Sequence, residues 1–226
     1  MRVLVVYESV SGHTRTIAES VAAGVTDAVP DATVRCLPAA RMPDEPPDVD
    51  LVVVGGPTHF FGLPGERTRR LWVQRVLRRW RADGGSARLE PGAAGPGLRE
   101  WFAVLPQIPP RDVVRDLGGD GLRAGPTDGV GSLPGDRRPW AAAFDTRLDR
   151  PVSGSAARRI ARLLRRHGYR VIARPEGFLV EDTEGPLRAG ERERAARWGS
   201  RLAVEAALAG LPRSRPPRPE GHVAGG

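Results

Sequence analysis

The sequence predicts an α/β protein built on a parallel sheet, and three observations lead there. Val3-Leu4-Val5-Val6 and Leu51-Val52-Val53-Val54 are apolar at every position, as a strand is when both its faces are covered. Between them, Ile17, Val21 and Val25 repeat at helical spacing. Glycine- and proline-rich turns punctuate the pattern, giving the strand, helix, strand, strand order of an open sheet with helices on its faces.

Taken in order, Arg2 to Tyr7 reads as a central strand and Thr14 to Val25 as a helix, with Ala18 and Ala22 beside its apolar stripe. Thr33 to Leu37 is a second strand, Pro38 to Pro47 a run of turns, and Asp50 to Gly56 a third strand. Arg67 to Trp80 fits an amphipathic helix with Leu71, Trp72, Val76 and Leu77 inward and Arg69, Arg70, Arg75, Arg78 and Arg79 outward. Leu98 to Leu105 is another short helix. Pro106 to Arg138 has no firm periodicity, and so long a stretch inside a domain reads as a functional flap or a disordered insertion. Trp140 to Phe144 is a fourth strand, and Ser155 to Arg166 a helix whose five arginines oppose Ala156, Ile160, Leu163 and Leu164. Tyr169 to Ala173 and Gly177 to Val180 form a fifth strand bent near Pro175. A closing helix spans Leu187 to Leu208, with Ala195, Trp198, Leu202 and Ala206 inward and Glu191 and Glu193 favourable to its dipole. Residues 1–210 thus read as one domain and 211–226, rich in proline and arginine, as a disordered tail.

Composition narrows the function classes. The 226 residues carry a formal charge of +8, and every basic residue is arginine. The arginines are spread over several helices without aromatic interleaving, so no nucleic-acid partner is expected. With no lysine at all, the arginine excess reads first as a bias of the whole sequence that leaves a solvated surface, and an acidic protein partner or a membrane surface is also compatible with the charge. There is no signal-peptide pattern and no membrane-length apolar run, and Cys36 has no second cysteine. The expectation is a cytoplasmic protein without a membrane span. His13 and His59 lack the acidic or thiol company of a metal site, and no catalytic triad stands out, so no metal and no catalytic residues are expected.

The segment Val5-Val6-Tyr7-Glu8-Ser9-Val10-Ser11-Gly12-His13-Thr14 carries the strongest functional signal. A buried strand ends at Tyr7 and a helix begins near Thr14. A helix start above a strand end offers free N–H groups and positive dipole to an anion such as phosphate. Ser9, Ser11 and Thr14 add hydroxyls, and Gly12 lets the backbone approach closely. The loop is neither G-x-G-x-x-G nor a P-loop. Taken alone, it could be no more than a helix cap.

Apolar-apolar-aromatic-x-Ser-x-x-Gly-x-Thr-x-x-x-Ala, read from Val5 to Ala18, resembles the flavodoxin signature. That resemblance implies a three-layer fold with a five-stranded parallel sheet of order 2-1-3-4-5, and FMN as cofactor. It implies that Ser9, Ser11, Gly12, His13 and Thr14 hold the phosphate. The pattern departs from the family at Val10, usually polar or small there, and at Glu19, usually aliphatic. A second segment, Gly55-Gly56-Pro57-Thr58-His59-Phe60-Phe61, resembles the family's Gly-x-Pro-Thr turn. Pro57, Thr58, His59 and Phe60 are then expected beside the isoalloxazine ring. The third loop, Asp145-Thr146-Arg147, lacks the aromatic that many flavodoxins place over the ring, leaving its backbone to hold the pyrimidine edge. The resemblance covers Met1 to about Leu105 and Pro139 to Leu208.

The expected function is FMN-dependent electron transfer to or from a partner protein or a small-molecule acceptor. Two alternatives stay open: an FMN-dependent oxidoreductase of the NAD(P)H- or quinone-using type, and a flavodoxin-fold binding or regulatory module that has lost its flavin. A homodimer also stays open. Flavodoxins are typically acidic, whereas this chain is basic. One positive charge about 6 Å from the ring stabilises a reduced anionic flavin by about 3 kcal/mol at an effective dielectric of about 20. That is a potential on the order of 0.1 V higher per electron.

Overall fold

The computed structural model describes residues 1–42, 48–58, 62–82, 89–90, 92–108, 138–149, 154–182 and 186–210. Strands β1 (Arg2–Tyr7), β2 (Thr33–Pro38), β3 (Leu51–Pro57), β4 (Trp140–Leu148) and β5 (Arg170–Val171) form a parallel sheet of order β2-β1-β3-β4-β5. Strand β6 (Glu176–Val180) pairs with the later half of β4, so β5 and β6 are two pieces of one edge line interrupted around Pro175. This is the expected order. The chain leaves β1 for β2 on one side and returns to β3 on the other, which puts the topological switch point between β1 and β3.

Because side chains alternate along a strand, the sheet builds two cores. Val3, Val5, Tyr7, Leu51, Val53, Ala142 and Phe144 pack against helices α1 (His13–Ala28) and α5 (Glu191–Gly210). Leu4, Val6, Val52, Val54, Ala141 and Ala143 pack against α3 (Leu98–Val104) and α4 (Ala156–Arg166). Helix α2 (Glu66–Ala82) joins this second side. In the first core Phe144, Phe178 and Trp198 meet edge-on, with centroids 6.0, 6.2 and 6.0 Å apart. That edge-to-face geometry suits their quadrupoles. The expected inward stripe Ala195, Trp198, Leu202 and Ala206 is buried in full.

Three expectations need correction. In α2, Leu71 is 54% exposed while Arg69 is only 2% exposed. The buried stripe is Arg69, Val73 and Val76, because carboxylates waiting inside draw the guanidinium in and turn the helix. Strand β4 continues past Phe144 to Leu148, since β6 offers it a ladder there. Helix α5 starts at Glu191 rather than Leu187. Leu187 instead makes an antiparallel bridge to Val180, and Gly190 with φ 80° turns the chain into the helix. The segment 109–137, the tail from 211, and His59, Phe60 and Phe61 lie outside the described residues. Among the described residues, no helix is long and apolar enough to cross a membrane.

Helices α1 and α5 touch through backbone. A Cβ on Gly24 would stand 1.9 Å from the Ala196 carbonyl oxygen, and one on Gly199 2.2 Å from that of Val21. The Ser200 hydroxyl donates to the Gly24 carbonyl at 2.8 Å across the same contact. Gly24→Ala should therefore force the helices apart and cost about 2–3 kcal/mol, while Ala23→Ser on the exposed face stays within about 0.5 kcal/mol. Urea unfolding of the two variants checks this.

Candidate functional site

The loop after β1 is built by its own hydrogen bonds. The Gly12 amide donates to Ser9 Oγ at 3.1 Å, and Ser11 Oγ lies 3.1 Å from His13 Nδ1. Gly12 has φ 93°, which a side chain would strain, and it is the N-cap of α1. No side chain caps that helix, and its first turn holds no acidic residue. The positive end of a 16-residue helix is thus presented at the switch point, as an anion site requires. Val10, the departure from the family pattern, is buried with Val73 and Ala93 and anchors α2 and the following segment on the loop. Glu19 is exposed and lies 3.7 Å from Arg15 one turn earlier.

Thr14 and Thr146 are brought together. Their hydroxyls lie 2.8 Å apart, both buried, so one donates to the other and one proton of the pair remains for a further acceptor. The turn after β3 is held just as tightly. The Thr58 amide donates to the Thr146 carbonyl at 2.9 Å, the Thr58 hydroxyl donates to Asp145 Oδ2 at 3.0 Å, and it accepts from the Ala156 amide at 2.9 Å. Asp145 is fully buried. Its Oδ2 also takes the Ser155 hydroxyl at 2.7 Å and the Ala157 amide at 3.0 Å, so it caps α4. Asp145 Oδ1 is buried without a hydrogen bond, and Arg147 Nε stands 3.9 Å from it. The Arg147 guanidinium lies over Gly177 of β6. Asp145 and Thr146 thus face opposite helices and fix the two loops relative to each other. Pro57, Thr58, Asp145, Thr146 and the Ser9–Thr14 loop share one rim of the sheet.

Three acidic residues that the sequence reading passed over define the other flank. Glu8 follows β1 in phase with Leu4 and Val6, so it points into the second core. Its Oε2 accepts from the Leu98 amide at 2.8 Å, capping α3, and its Oε1 meets Arg69 at 3.2 Å. Arg69 also reaches Glu100 at 3.0 Å, and Glu100 takes the Gly97 amide at 2.8 Å. Burial pushes the Glu8 carboxyl above the usual range, with the Leu98 amide and Arg69 opposing. Burial works the same way on Glu100, but the Gly97 amide and Arg69 outweigh it and hold that carboxyl below the range. Glu90 lies beside the loop, its amide donating to the Val10 carbonyl at 3.1 Å and its carboxylate 3.4 Å from Arg15. A cavity of about 20 Å³, room for one water, lies among Tyr7, Glu8, Ser9, Arg69 and Glu90. Period 2 along β1 is the signal that could have flagged Glu8, since a carboxylate on an inward position demands a partner.

Burial also pushes the Cys36 thiol up to about 12, which makes it inert as a nucleophile. Among the described residues, no group of three or more His, Cys, Asp or Glu could hold a metal ion.

With this geometry in view, comparison with known proteins is direct. The family model for flavodoxin matches residues 5–81, the stretch from β1 through α2 that contains both loops. The structure of a flavodoxin from the domain Archaea matches at 17% identity and a TM-score of 0.51, covering 92% of this chain and 99% of that one. A metal-soaked flavodiiron core from Synechocystis matches at 14% identity and a TM-score of 0.50, covering 92% of this chain and 36% of that one. Identities this low establish fold alone. No curated protein sequence matches. The class is thus α/β with the flavodoxin-like topology. More particularly, the flavodoxin sequence pattern is matched over residues 5–81, from β1 through α2.

Arg69→Met should cost about 3–5 kcal/mol at pH 7, because it leaves Glu8 charged, buried and without its cation. The raised Glu8 pKa means that this carboxyl contributes most below its unfolded value of 4.5 and progressively less as pH rises through its folded value. The penalty of Arg69→Met should therefore shrink as pH falls and Glu8 takes a proton. Urea unfolding at pH 7 and pH 5 checks this, and a penalty equal at both would contradict the ion pair as the cause.

Proposed function

We propose that this chain binds FMN at the β1/β3 switch point and passes electrons between the flavin and a partner. The observation that carries the reading is the Ser9–Thr14 loop, with Gly12 in the left-handed region and α1 starting without a side-chain cap. This donor set fits a phosphate: main-chain amides at a helix start, the Ser9 and Ser11 hydroxyls, His13, and the hydroxyl proton left over in the Thr14–Thr146 pair. When bound, the flavin supplies one- and two-electron transfer, and the protein's part is binding, orientation and electrostatics.

In this reading the residues divide the work. Ser9, Ser11, Gly12, His13 and Thr14 hold the phosphate. Pro57 and Thr58 form the turn beside the ring, with His59 and Phe60 following them in sequence. Asp145 positions Thr58 and the α4 N-terminus, while Thr146 positions Thr14 and the Thr58 amide. Arg147 offers a cation near the ring, partly offset by Asp145 3.9 Å away. The backbone of Asp145 to Leu148 runs in the ladder with β6, so it has fewer groups to give the pyrimidine edge than a free loop would have. That matches a ring left open on one side.

Purified protein supplied with FMN should become yellow and quench the flavin's fluorescence with a saturable isotherm. Gly12→Val should weaken binding at least tenfold, since φ 93° is unfavourable for a β-branched residue. A colourless protein after reconstitution would favour a module without flavin, and bleaching of the yellow protein by NADH or NADPH alone would favour a reductase. Because surface cations stabilise the reduced anionic cofactor, the midpoint potential should fall as salt is raised from about 0.01 M to 1 M. A potential independent of salt would contradict that electrostatic origin.

A further inference from the structure

The sheet separates charge. Helices α1 and α5, on one side, carry five arginines against five acidic residues and are neutral. Helices α2, α3 and α4, on the other side, carry thirteen arginines against two glutamates. Those two glutamates are already engaged. Glu66 pairs with Arg70 at 2.6 Å and Glu100 with the buried Arg69. Arg158, Arg159, Arg162, Arg165 and Arg166 of α4 are all exposed, and among the described residues none of them has an ion-pair partner. If arginine usage were only a bias of the whole sequence, both sides would show it.

The excess reaches the rim that carries the phosphate loop and the Pro57–Thr58 turn. Helix α4 begins beside Thr58, whose hydroxyl accepts its Ala156 amide. The Arg159 side chain passes 3.9 Å from where a Cβ on Gly62 would stand. Arg99 is drawn over the same segment, its Nε donating to the Leu63 carbonyl at 3.0 Å. Arg67 and Arg70 are exposed on the first turns of α2, which opens just after Gly65. One turn on from Arg67 and next to Arg70, Leu71 presents an apolar side chain, 54% exposed. An exposed apolar side chain flanked by cations suits a protein partner better than a bare polyanion, whose contacts are charge alone.

We infer that the surface formed by Arg67, Arg70, Leu71, Arg99, Arg158 and Arg159 docks an acidic electron-transfer protein, bringing its redox centre to the open side of the flavin. This rests on the FMN reading of the same rim for its purpose, but the docking itself is measurable without flavin. Opposite charge steers the encounter, raising the association rate at low salt by 10-fold or more. Leu71 supplies contact that salt does not screen.

The test uses full-length protein and an acidic plant-type [2Fe–2S] ferredoxin as probe. Binding is followed by calorimetry, and electron exchange with the FMN-loaded protein by stopped flow. The front variant is Arg67→Glu with Arg158→Glu and Arg159→Glu, all exposed. The rear control is Arg192→Glu with Arg197→Glu and Arg201→Glu on α5, which are equally exposed. Saturable ferredoxin binding is expected, weakened at least tenfold by the front variant, less than twofold by the rear one, and strongly by 0.5 M salt. Leu71→Ala should weaken binding several-fold while leaving its salt dependence unchanged. Circular dichroism and FMN uptake equal to the parent's show that the front variant is folded. Absence of ferredoxin binding, equal losses from front and rear, or equally tight binding of duplex DNA or of phosphatidylserine vesicles would each overturn the inference. A chain that binds ferredoxin through the front but takes up no FMN would overturn the flavin reading and leave the docking surface standing.

Discussion

The contact on which the site's architecture depends is the buried ion pair between Glu8 and Arg69. Glu8 stands at the junction of the central strand and the Ser9–Thr14 loop, 5% exposed, and Arg69 lies over it at 2%. Neither charge could be buried alone at tolerable cost. Together, with the Leu98 amide and Glu100, they draw α2 and the start of α3 onto the end of β1. Val10 then closes against Val73 and Ala93, so the loop between β1 and α1 is held from below by hydrogen bonds and from the side by packing. The proposed phosphate site would draw on that rigidity, because amides aimed at an anion are worth most when they need no reorganisation.

The opposite flank is held by a second buried carboxylate. Asp145 gathers Thr58, Ser155 and the α4 N-terminus, and Thr146 beside it gathers Thr14 and the Thr58 amide. Two successive residues of β4, facing opposite sides of the sheet, thus lock the loops after β1 and β3 to each other. Both locks use buried polar groups at strand ends, where the apolar core gives way to the rim.

Much of this fold was legible in the sequence, because the unbroken apolar runs of β1 and β3 and the period-3.6 patterns of α1, α4 and α5 agree with their final burial. The position of the β1 loop was legible for a related reason: Ser9, Ser11 and Gly12 stand where an apolar strand meets an amphipathic helix, and the helix does start at Gly12. What escaped were interactions between residues far apart in the chain. Helix α2 was read with Leu71 inside because an apolar count ignores a carboxylate 61 residues away that draws Arg69 inward. Strand β4 was read too short because Asp145 and Thr146 look like loop residues until β6 and their helix partners are in place. The charge asymmetry was invisible too, since it appears only once the sheet sorts five helices onto two sides.

The central claim is that the Ser9–Thr14 loop recognises a phosphate, and through it FMN. Comparing FMN with riboflavin, which has the same ring and no phosphate, measures that contribution alone. Fluorescence titration of the apoprotein at fixed salt should give FMN an affinity at least a hundredfold above riboflavin's, about 2.7 kcal/mol. Equal affinities for the two flavins, or binding of neither, would contradict the account.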